Sequence, residues 1–338
     1  MKTVFLRVLH AEDKASALRV AIESPTGTGL QNRYEIDPID FAVIPGAPFA
    51  YWVNATIRGL FKKLAPFGNG DRVALIGLKT SDDNRFVRNW FEVDCSDLSL
   101  SWKPFTRGGP SSMVYRDLVA VVRWANDAEE LWAYYYANAK RTGGMLKNVG
   151  RYFEPGITWP LRGITFTAQA VPEDCVFSIA GKQAITPPSE LLAWLALFNS
   201  RPFDYLIRVF AGKVGGVQYE SGLINGVAVP ELLPDDVKQL SELGRRSWSL
   251  SRLLDTGTET SHAFVLPAGL NERVATLHQE TVKREQESIK ERINEAVFAL
   301  YGIGEDDCRD TQVAPSGSEL EDMLDADPDD EQAELAED

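Results

Sequence analysis

The chain of 338 residues is long enough to bury a sizeable core and to form two domains. Hydrophobic residues make up 44% and charged residues 25%, which is the balance of a globular protein and excludes a fibrous or wholly disordered one. No apolar run reaches the roughly eighteen residues of a membrane span, and the N-terminus lacks the pattern of a signal peptide. We therefore expect a cytoplasmic protein without a membrane partner.

The net charge of −14 is concentrated at the C-terminus. Residues 305–338 hold fifteen acidic residues and one arginine, whereas residues 1–304 hold 34 acidic and 34 basic residues. Residues 138–219 have a modest basic excess of nine to five, so the body can still carry a basic binding face. The tail has too few large apolar residues to fold alone, and we expect it to be disordered. It could be a solubilising terminus, or it could mimic DNA and shield a basic face.

Cysteine and histidine residues give no sign of a metal site. Their positions are scattered and show neither zinc-ligand spacing nor a disulfide framework: Cys95, Cys175, Cys308, His10, His262 and His278. We expect reduced thiols and no bound metal.

Residues 1–76 form the first predicted unit, a mixed and partly helical segment. Residues 3–9 indicate a strand or the start of a buried helix, and apolar residues repeat at helical spacing over 11–22. Prolines stiffen an extended stretch at 34–48. An amphipathic helix is predicted over 49–64.

Residues 77–234 form the second predicted unit, which is rich in strands. Aromatic and β-branched runs alternate with glycine, proline and serine breaks, as in short strands joined by turns. Residues 115–136 predict a strand followed by a helix, and 138–147 a basic loop with two glycines. Two or three strands are predicted over 164–185, and a buried helix over 191–199.

Arginine and lysine are interleaved with aromatic residues in this second unit. Cations that neutralise phosphates beside planar side chains suit a nucleic-acid interface. A β-rich core with ordinary surface charge explains the same composition. Asp82 and Asp83 precede Arg85, and a local salt bridge is their ordinary explanation.

Residues 235–304 form the third predicted unit, which is helical. One helix is predicted over 235–254, and a longer one over 270–301 after a polar break at 256–261. The expected fold class is therefore α+β, with a strand-rich domain between N-terminal and C-terminal helical segments and an acidic tail over 305–338.

Five motifs of this chain, in their order and spacing, resemble one protein family. They are Gly77–Arg88 with its Arg-Phe-Val-Arg ending, Trp102–Gly109, Tyr152–Trp159, Leu195–Ser200 and Ala299–Gly302. Together they resemble the target-recognition region of large adenine-specific DNA methyltransferases of phage defence, the PglX proteins of BREX-type systems and related type IIG restriction-modification enzymes. The resemblance spans most of residues 35–304 and implies that 77–234 is a DNA target-recognition domain.

Catalytic motifs of that family are missing from the sequence. The chain has neither a glycine-rich turn for S-adenosylmethionine nor an Asn/Asp-Pro-Pro-Tyr/Phe loop for the target base. Its one Pro-Pro pair, at Pro187 and Pro188, lacks the flanking amide and aromatic residue. No catalytic residue can be carried over, so the chain alone is not expected to be catalytic. The resemblance implies that S-adenosylmethionine binds to a partner catalytic domain.

The first hypothesis is the DNA-binding specificity portion of such a methyltransferase. Its partners would be double-stranded DNA and a separate catalytic chain or other defence-system subunits. Cations that would contact DNA are Lys79, Arg85, Arg88, Lys103, Arg107, Lys140, Arg141, Lys147 and Arg151, whereas Trp102 and Trp159 are expected to brace the fold. The alternatives are an enzyme in its own right and a protein-interaction remnant without DNA binding.

Overall fold

A computed structural model describes residues 2–8, 11–23, 33–98, 100–109, 111–142, 145–212, 216–267, 269–270 and 279–311. The architecture is α+β, as predicted from the sequence. Most of the predicted tail, residues 312–338, lies outside the described residues, whereas Glu305–Thr311 forms a short 3-10 helix.

The N-terminal segment is a two-stranded antiparallel sheet with a helix between its strands. Strand β1 (Thr3–Leu6) pairs with β2 (Arg33–Ile36), and α1 (Lys14–Glu23) lies between them in sequence. Among the described residues, Ala21 is the one residue of α1 that is buried, while Val20 and Ile22 are exposed.

Helix α2 (Ala55–Lys63) begins six residues later than predicted. The side chain of Asn54 accepts a hydrogen bond from Ile57 N and so caps the helix at this point. Ahead of it, Ala50 N and Tyr51 N bond to carbonyls only two residues back, in a tight turn. Phe49 is consequently exposed and does not belong to the apolar stripe of the helix.

The central part of the chain contains two four-stranded sheets. One has the strand order β5–β7–β6–β12, in which β6 and β12 are parallel, and the other has the antiparallel order β3–β13–β9–β11. Two small pairs, β4–β8 and β10–β14, complete the set. The bounds are β3 Val73–Leu75, β4 Leu78–Lys79, β5 Val87–Asn89, β6 Trp102–Thr106, β7 Ala120–Arg123, β8 Met145–Leu146, β9 Gly156–Thr158, β10 Arg162–Gly163, β11 Gln169–Val171, β12 Val176–Phe177, β13 Gln183–Ile185 and β14 Val217–Gln218.

Two helices accompany these strands, and we call the strands and the two helices together the strand domain. Helix α3 (Asp83–Phe86) precedes β5, and α4 (Ala125–Thr142) follows β7. The loop predicted over 138–147 is therefore wrong, because α4 continues to Thr142 and Met145–Leu146 forms β8. A separate small core, including Phe86, Phe105 and Trp124, packs under the first sheet.

The larger core joins the second sheet to the C-terminal helices. These are α5 (Leu191–Phe198), α6 (Arg201–Ala211), α7 (Ser221–Gly226), α8 (Pro234–Asp255) and α9 (Gln279–Tyr301). The buried apolar helix and the helix over 235–254 are confirmed as α5 and α8. Gly244 lets α8 approach α5 closely, because a Cβ there would lie 2.6 Å from the carbonyl oxygen of Leu192. Residues 271–278 of the predicted long helix lie outside the described residues.

Candidate nucleic-acid interface

Two predicted arginines of the strand domain form ion pairs at the edge of the first sheet. Arg85, in α3, pairs with Glu130 of α4 at 2.8 Å, and Arg107, just after β6, pairs with Asp83 at 2.7 Å. Asp82 instead accepts a hydrogen bond from the backbone N–H of Arg85 and caps α3. The local bridge expected from the sequence is thus replaced by pairs between distant segments.

The cations of β6 and of the segment before β9 are paired as well. Lys103 lies 2.7 Å from Asp174, and Arg151 lies 2.5 Å from Glu154. The hydrogen bond to Glu154 raises the pKa of the Arg151 guanidinium, opposed by slight desolvation. These side chains are partly exposed, and exposed ion pairs are worth at most about 1 kcal/mol. A phosphate can therefore displace the carboxylates at modest cost.

The remaining predicted cations differ in accessibility. Arg88 donates to the carbonyl oxygens of Asn84 and Val87, and Lys147 is exposed. Lys79 is only 5% exposed, so it is poorly placed to reach a phosphate. The side chains of Lys140 and Arg141 lie outside the described part of the structure, although both residues belong to α4. Trp102 and Trp159 are buried, which confirms their predicted role in the core.

A cleft of about 720 Å³ separates the strand domain from α8, and we call it the α8 cleft. Its floor is mainly apolar, with polar and charged groups at the edge. The residues that define it are Pro104, Tyr115, Arg116, Asp117, Leu118, Pro155, Ala170, Val171, Pro172, Leu191, Leu192, Arg245, Trp248, Ser249, Arg252, His262 and Ala263. Clefts of this size and composition are typical of binding sites.

Arginines from opposite walls face this cleft. Arg245 and Arg252 are exposed on α8, and among the described residues neither forms an ion pair. The Arg252 guanidinium lies 5.7 Å from the centroid of the Trp248 ring. On the other wall, Arg116 donates a hydrogen bond to the carbonyl oxygen of Gly108. Burial lowers the pKa of Arg116, and the nearby carboxylate of Asp117 opposes that effect.

Arg116 also connects the α8 cleft to the predicted cations. A smaller cavity of about 220 Å³ is lined by both Arg107 and Arg116. These two adjoining cavities are lined by Arg107, Arg116, Arg245 and Arg252, which we call the arginine track. Such a track suits a polyanion that lies along the surface.

The segment after α8 closes one end of the cleft. Trp90 donates from Nε1 to the carbonyl oxygen of Thr260 at 3.0 Å. The backbone N–H of His262 donates to Asp117 at 3.1 Å, and its ring lies 4.7 Å from the Trp90 ring. Burial raises the pKa of Tyr115, whose ring meets Trp248 edge-on, to about 12, so Tyr115 remains a neutral wall residue at physiological pH.

Sequence reasoning missed three members of the arginine track, namely Arg116, Arg245 and Arg252. Arg245, Trp248 and Arg252 recur at helical spacing, and that pattern could have marked one face of α8. Arg116 offered no such signal, because its position opposite α8 depends on tertiary packing.

Other kinds of site find little support in the described residues. Within those ranges, no group of three His, Cys, Asp or Glu side chains is arranged to hold a metal ion, and no helix is long and apolar enough to cross a membrane. Cys175 is buried, and desolvation raises its pKa to about 12, so it is not a reactive thiolate.

Comparison with known proteins gives distant relatives. No family model matches the chain. Adenine-specific methyltransferase BrxX of Escherichia coli O9:H4 (strain HS) is 27% identical over 177 residues, which cover 49% of this chain and 14% of that protein. Adenine-specific methyltransferase PglX of Lacticaseibacillus casei (strain Zhang) is 25% identical over 204 residues, which cover 55% and 16%.

The solved structures that match part of the chain include a restriction-modification enzyme. The type IIL restriction-modification enzyme MmeI, solved in complex with DNA, matches 80% of this chain and 37% of its own with a TM-score of 0.47 and 13% identity. Over about half of its length, the chain is therefore distantly related to adenine-specific methyltransferases, and it spans 14–16% of the length of these relatives.

Proposed function

We propose that this chain is the DNA-binding specificity portion of a PglX-like adenine-specific DNA methyltransferase. One observation carries the proposal: the chain is related to adenine-specific methyltransferases, yet its sequence has neither the cofactor-binding turn nor the catalytic loop of such enzymes. Binding of S-adenosylmethionine and transfer of the methyl group are then functions of a partner catalytic domain. Double-stranded DNA is the proposed ligand of the present chain.

In this proposal, the arginine track supplies cations that bind the DNA phosphates. Arg245 and Arg252 have no acidic partner among the described residues, so they can bind phosphates without first breaking an ion pair. Arg85 and Arg107 can exchange Glu130 and Asp83 for phosphates, because those pairs are exposed and weak. Phosphate contacts of this kind position the duplex, while side chains at the base edges select the sequence.

Binding of the full chain to a labelled duplex, measured by fluorescence anisotropy over a salt series, tests the proposal. We expect affinity to fall with salt, with a slope that increases by about 0.9 for each phosphate neutralised. Arg85→Ala and Arg107→Ala should weaken binding, whereas Lys62→Ala, an exposed lysine on α2 outside the cavities, is the matched control. A chain that binds no duplex at low salt contradicts the proposal.

The division of labour between chains needs a second measurement. Calorimetry with S-adenosylmethionine should show no binding to this chain alone, and methylation of DNA should require an added catalytic chain. Binding of the cofactor to the isolated chain would instead support an enzyme in its own right.

A second candidate function is a protein-interaction module without DNA binding. The observation that favours it is the exposure of apolar side chains on α1, namely Leu18, Val20 and Ile22. Failure of the DNA titration, together with retention of a defence-system subunit that Val20→Ser and Ile22→Ser abolish, would favour this candidate.

A further inference from the structure

The α8 cleft has two kinds of surface, an apolar floor and charged groups at its edge. Arg116, Arg245 and Arg252 suit an anion, but the floor between them is apolar and includes Leu118, Leu192 and Trp248. A phosphate backbone gains nothing from apolar contact. A ligand that satisfies the whole cleft must therefore combine acidic groups with apolar side chains, as an acidic amphipathic helix does when it binds in a groove.

The sequence of this chain contains one segment with that chemistry. Leu320, Met323 and Leu324 have the i, i+3, i+4 spacing of one helical face. Ser318 and Glu321 match the Ser-x-x-Glu pattern of a capped helix start, and Pro328 follows as a stop signal. Acidic residues surround the apolar ones: Glu319, Glu321, Asp322, Asp325 and Asp327.

We infer that residues 318–327 of this chain bind in the α8 cleft, with Leu320, Met323 and Leu324 on its apolar floor and the flanking carboxylates at Arg245 and Arg252. The complementarity is of both kinds, since residues 305–338 carry the whole net charge of −14 and the cleft lining holds three arginines against one carboxylate, Asp117. A helix this short is marginal in water, so docking would supply its stability.

The tail follows a helix, α9, that packs directly on α8. Gln286, in the first half of α9, donates to Ser251 of α8 and lines the cavity next to the cleft. From there to the end of α9 at Tyr301 the helix rises about 22 Å, at 1.5 Å per residue. The short helix Glu305–Thr311 follows, and the residues between Thr311 and Leu320 can span about 30 Å when extended.

Docking of the tail would compete with DNA, because both would use Arg116, Arg245 and Arg252. The docking itself rests on the α8 cleft and not on the proposed function, whereas the competition rests on both. The chain would then bind DNA only after its own C-terminal segment has left the arginine track.

A peptide titration tests the docking without DNA. The receptor is the full chain with Leu320→Ser, Met323→Ser and Leu324→Ser, whose own segment can no longer compete. A labelled peptide of residues 312–338 should bind about tenfold more tightly than the same peptide with these three serines, because the charge is equal and only apolar burial differs. Equal binding of the two peptides, or no binding of either, would overturn the inference.

Variants of α8 locate the binding site. Arg245→Glu in the receptor should weaken peptide binding about tenfold, since it replaces an attraction by a repulsion. Lys238→Glu, an equal charge change at an exposed position of the same helix outside the cleft, should have little effect. Equal effects of the two variants would place the peptide elsewhere. Binding of single-stranded DNA without peptide binding would assign the cleft to unstacked bases.

DNA affinity of the unmodified chain and the triple-serine chain tests the competition. The triple-serine chain should bind a duplex about fivefold more tightly although its net charge is unchanged. Equal affinities would overturn the competition. If neither chain binds DNA, the proposed function fails, while the peptide titration still decides the docking.

Discussion

The cations of the strand domain and those of α8 differ in whether they pair with a carboxylate. Arg85, Lys103 and Arg107 each pair with a carboxylate within 2.8 Å, whereas Arg245 and Arg252 have no acidic partner among the described residues. The contrast exists even within α8, because Arg246, next to Arg245, is held by Glu285 at 2.6 Å.

This difference shows that the number of basic residues in a segment does not measure its affinity for an anion. A paired arginine must exchange one anion for another, while an unpaired one gains the full interaction. The strand domain contains the cations that the sequence predicts to contact DNA, yet more of its cations are neutralised by carboxylates. Helix α8, which the sequence predicts to pack on the core, carries Arg245 and Arg252, which have no acidic partner among the described residues.

The largest expected effect comes from disrupting the smaller core, which packs under the first sheet, while leaving the larger core intact. A Cβ at Gly77 would lie 1.9 Å from the carbonyl oxygen of Phe177, so Gly77→Ala must displace backbone in the smaller core. We expect a loss of about 3 kcal/mol in the free energy of unfolding, measured by denaturant titration. Gly150→Ala, where a Cβ meets nothing within 4 Å, is the matched control. Equal stability of both variants would contradict the packing described at Gly77.

Removal of the unpaired arginines should have the next largest effect. Arg245→Gln with Arg252→Gln should lower duplex affinity about a hundredfold, at roughly 1.5 kcal/mol for each lost charge-assisted contact. Arg246→Gln, one residue away but already paired, should cost much less. Anisotropy at low salt measures all three variants. A larger effect of the Arg246 substitution would reverse the distinction between paired and unpaired arginines.

Release of a paired arginine should have the opposite and smaller effect. Glu130 contacts both Arg85 and Arg123, so Glu130→Gln should raise duplex affinity about threefold and steepen the salt dependence. Glu129→Gln removes the same charge from an exposed neighbour that accepts a hydrogen bond from Asn126, and so isolates the effect of pairing with arginine. Identical gains from both substitutions would mean that only net charge matters.

The smallest effect concerns the pair that holds Arg246. A hydrogen bond from Arg246 lowers the pKa of Glu285, so the pair stabilises the fold above the unfolded pKa of glutamate and is lost as pH falls through the lowered folded value. Glu285→Gln should therefore reduce stability at pH 7 by less than about 1 kcal/mol, because both groups are exposed. Thermal unfolding should show a difference that shrinks as the pH falls. Glu287→Gln is the control, and a difference that grows in acid would contradict the pairing.

Much of the fold could be predicted because local patterns were strong. The apolar run of α5 predicted burial, and Pro234 with Asp235 and Asp236 predicted the start of α8. Trp102 and Trp159 were correctly placed in the core. The start of α2 was missed because an apolar stripe does not show where a cap and a preceding turn end the helix.

The candidate site was predicted only in part. Of its ion pairs, Arg151 with Glu154 lies three residues apart and could be read from the sequence. Lys103 and Asp174 are separated by 71 residues, and only the parallel pairing of β6 and β12 brings them together. Neither periodicity nor composition reports such contacts.

The sequence by itself determined the α+β class, the buried helix α5, the start of α8, the acidic terminus and the lack of methyltransferase motifs, because these depend on local spacing and residue type. Only the tertiary structure decided which arginines are neutralised and which line the α8 cleft. Electrostatic interactions act through space over a few ångströms, so charges that are remote in the chain become partners or stay free according to how the two cores pack.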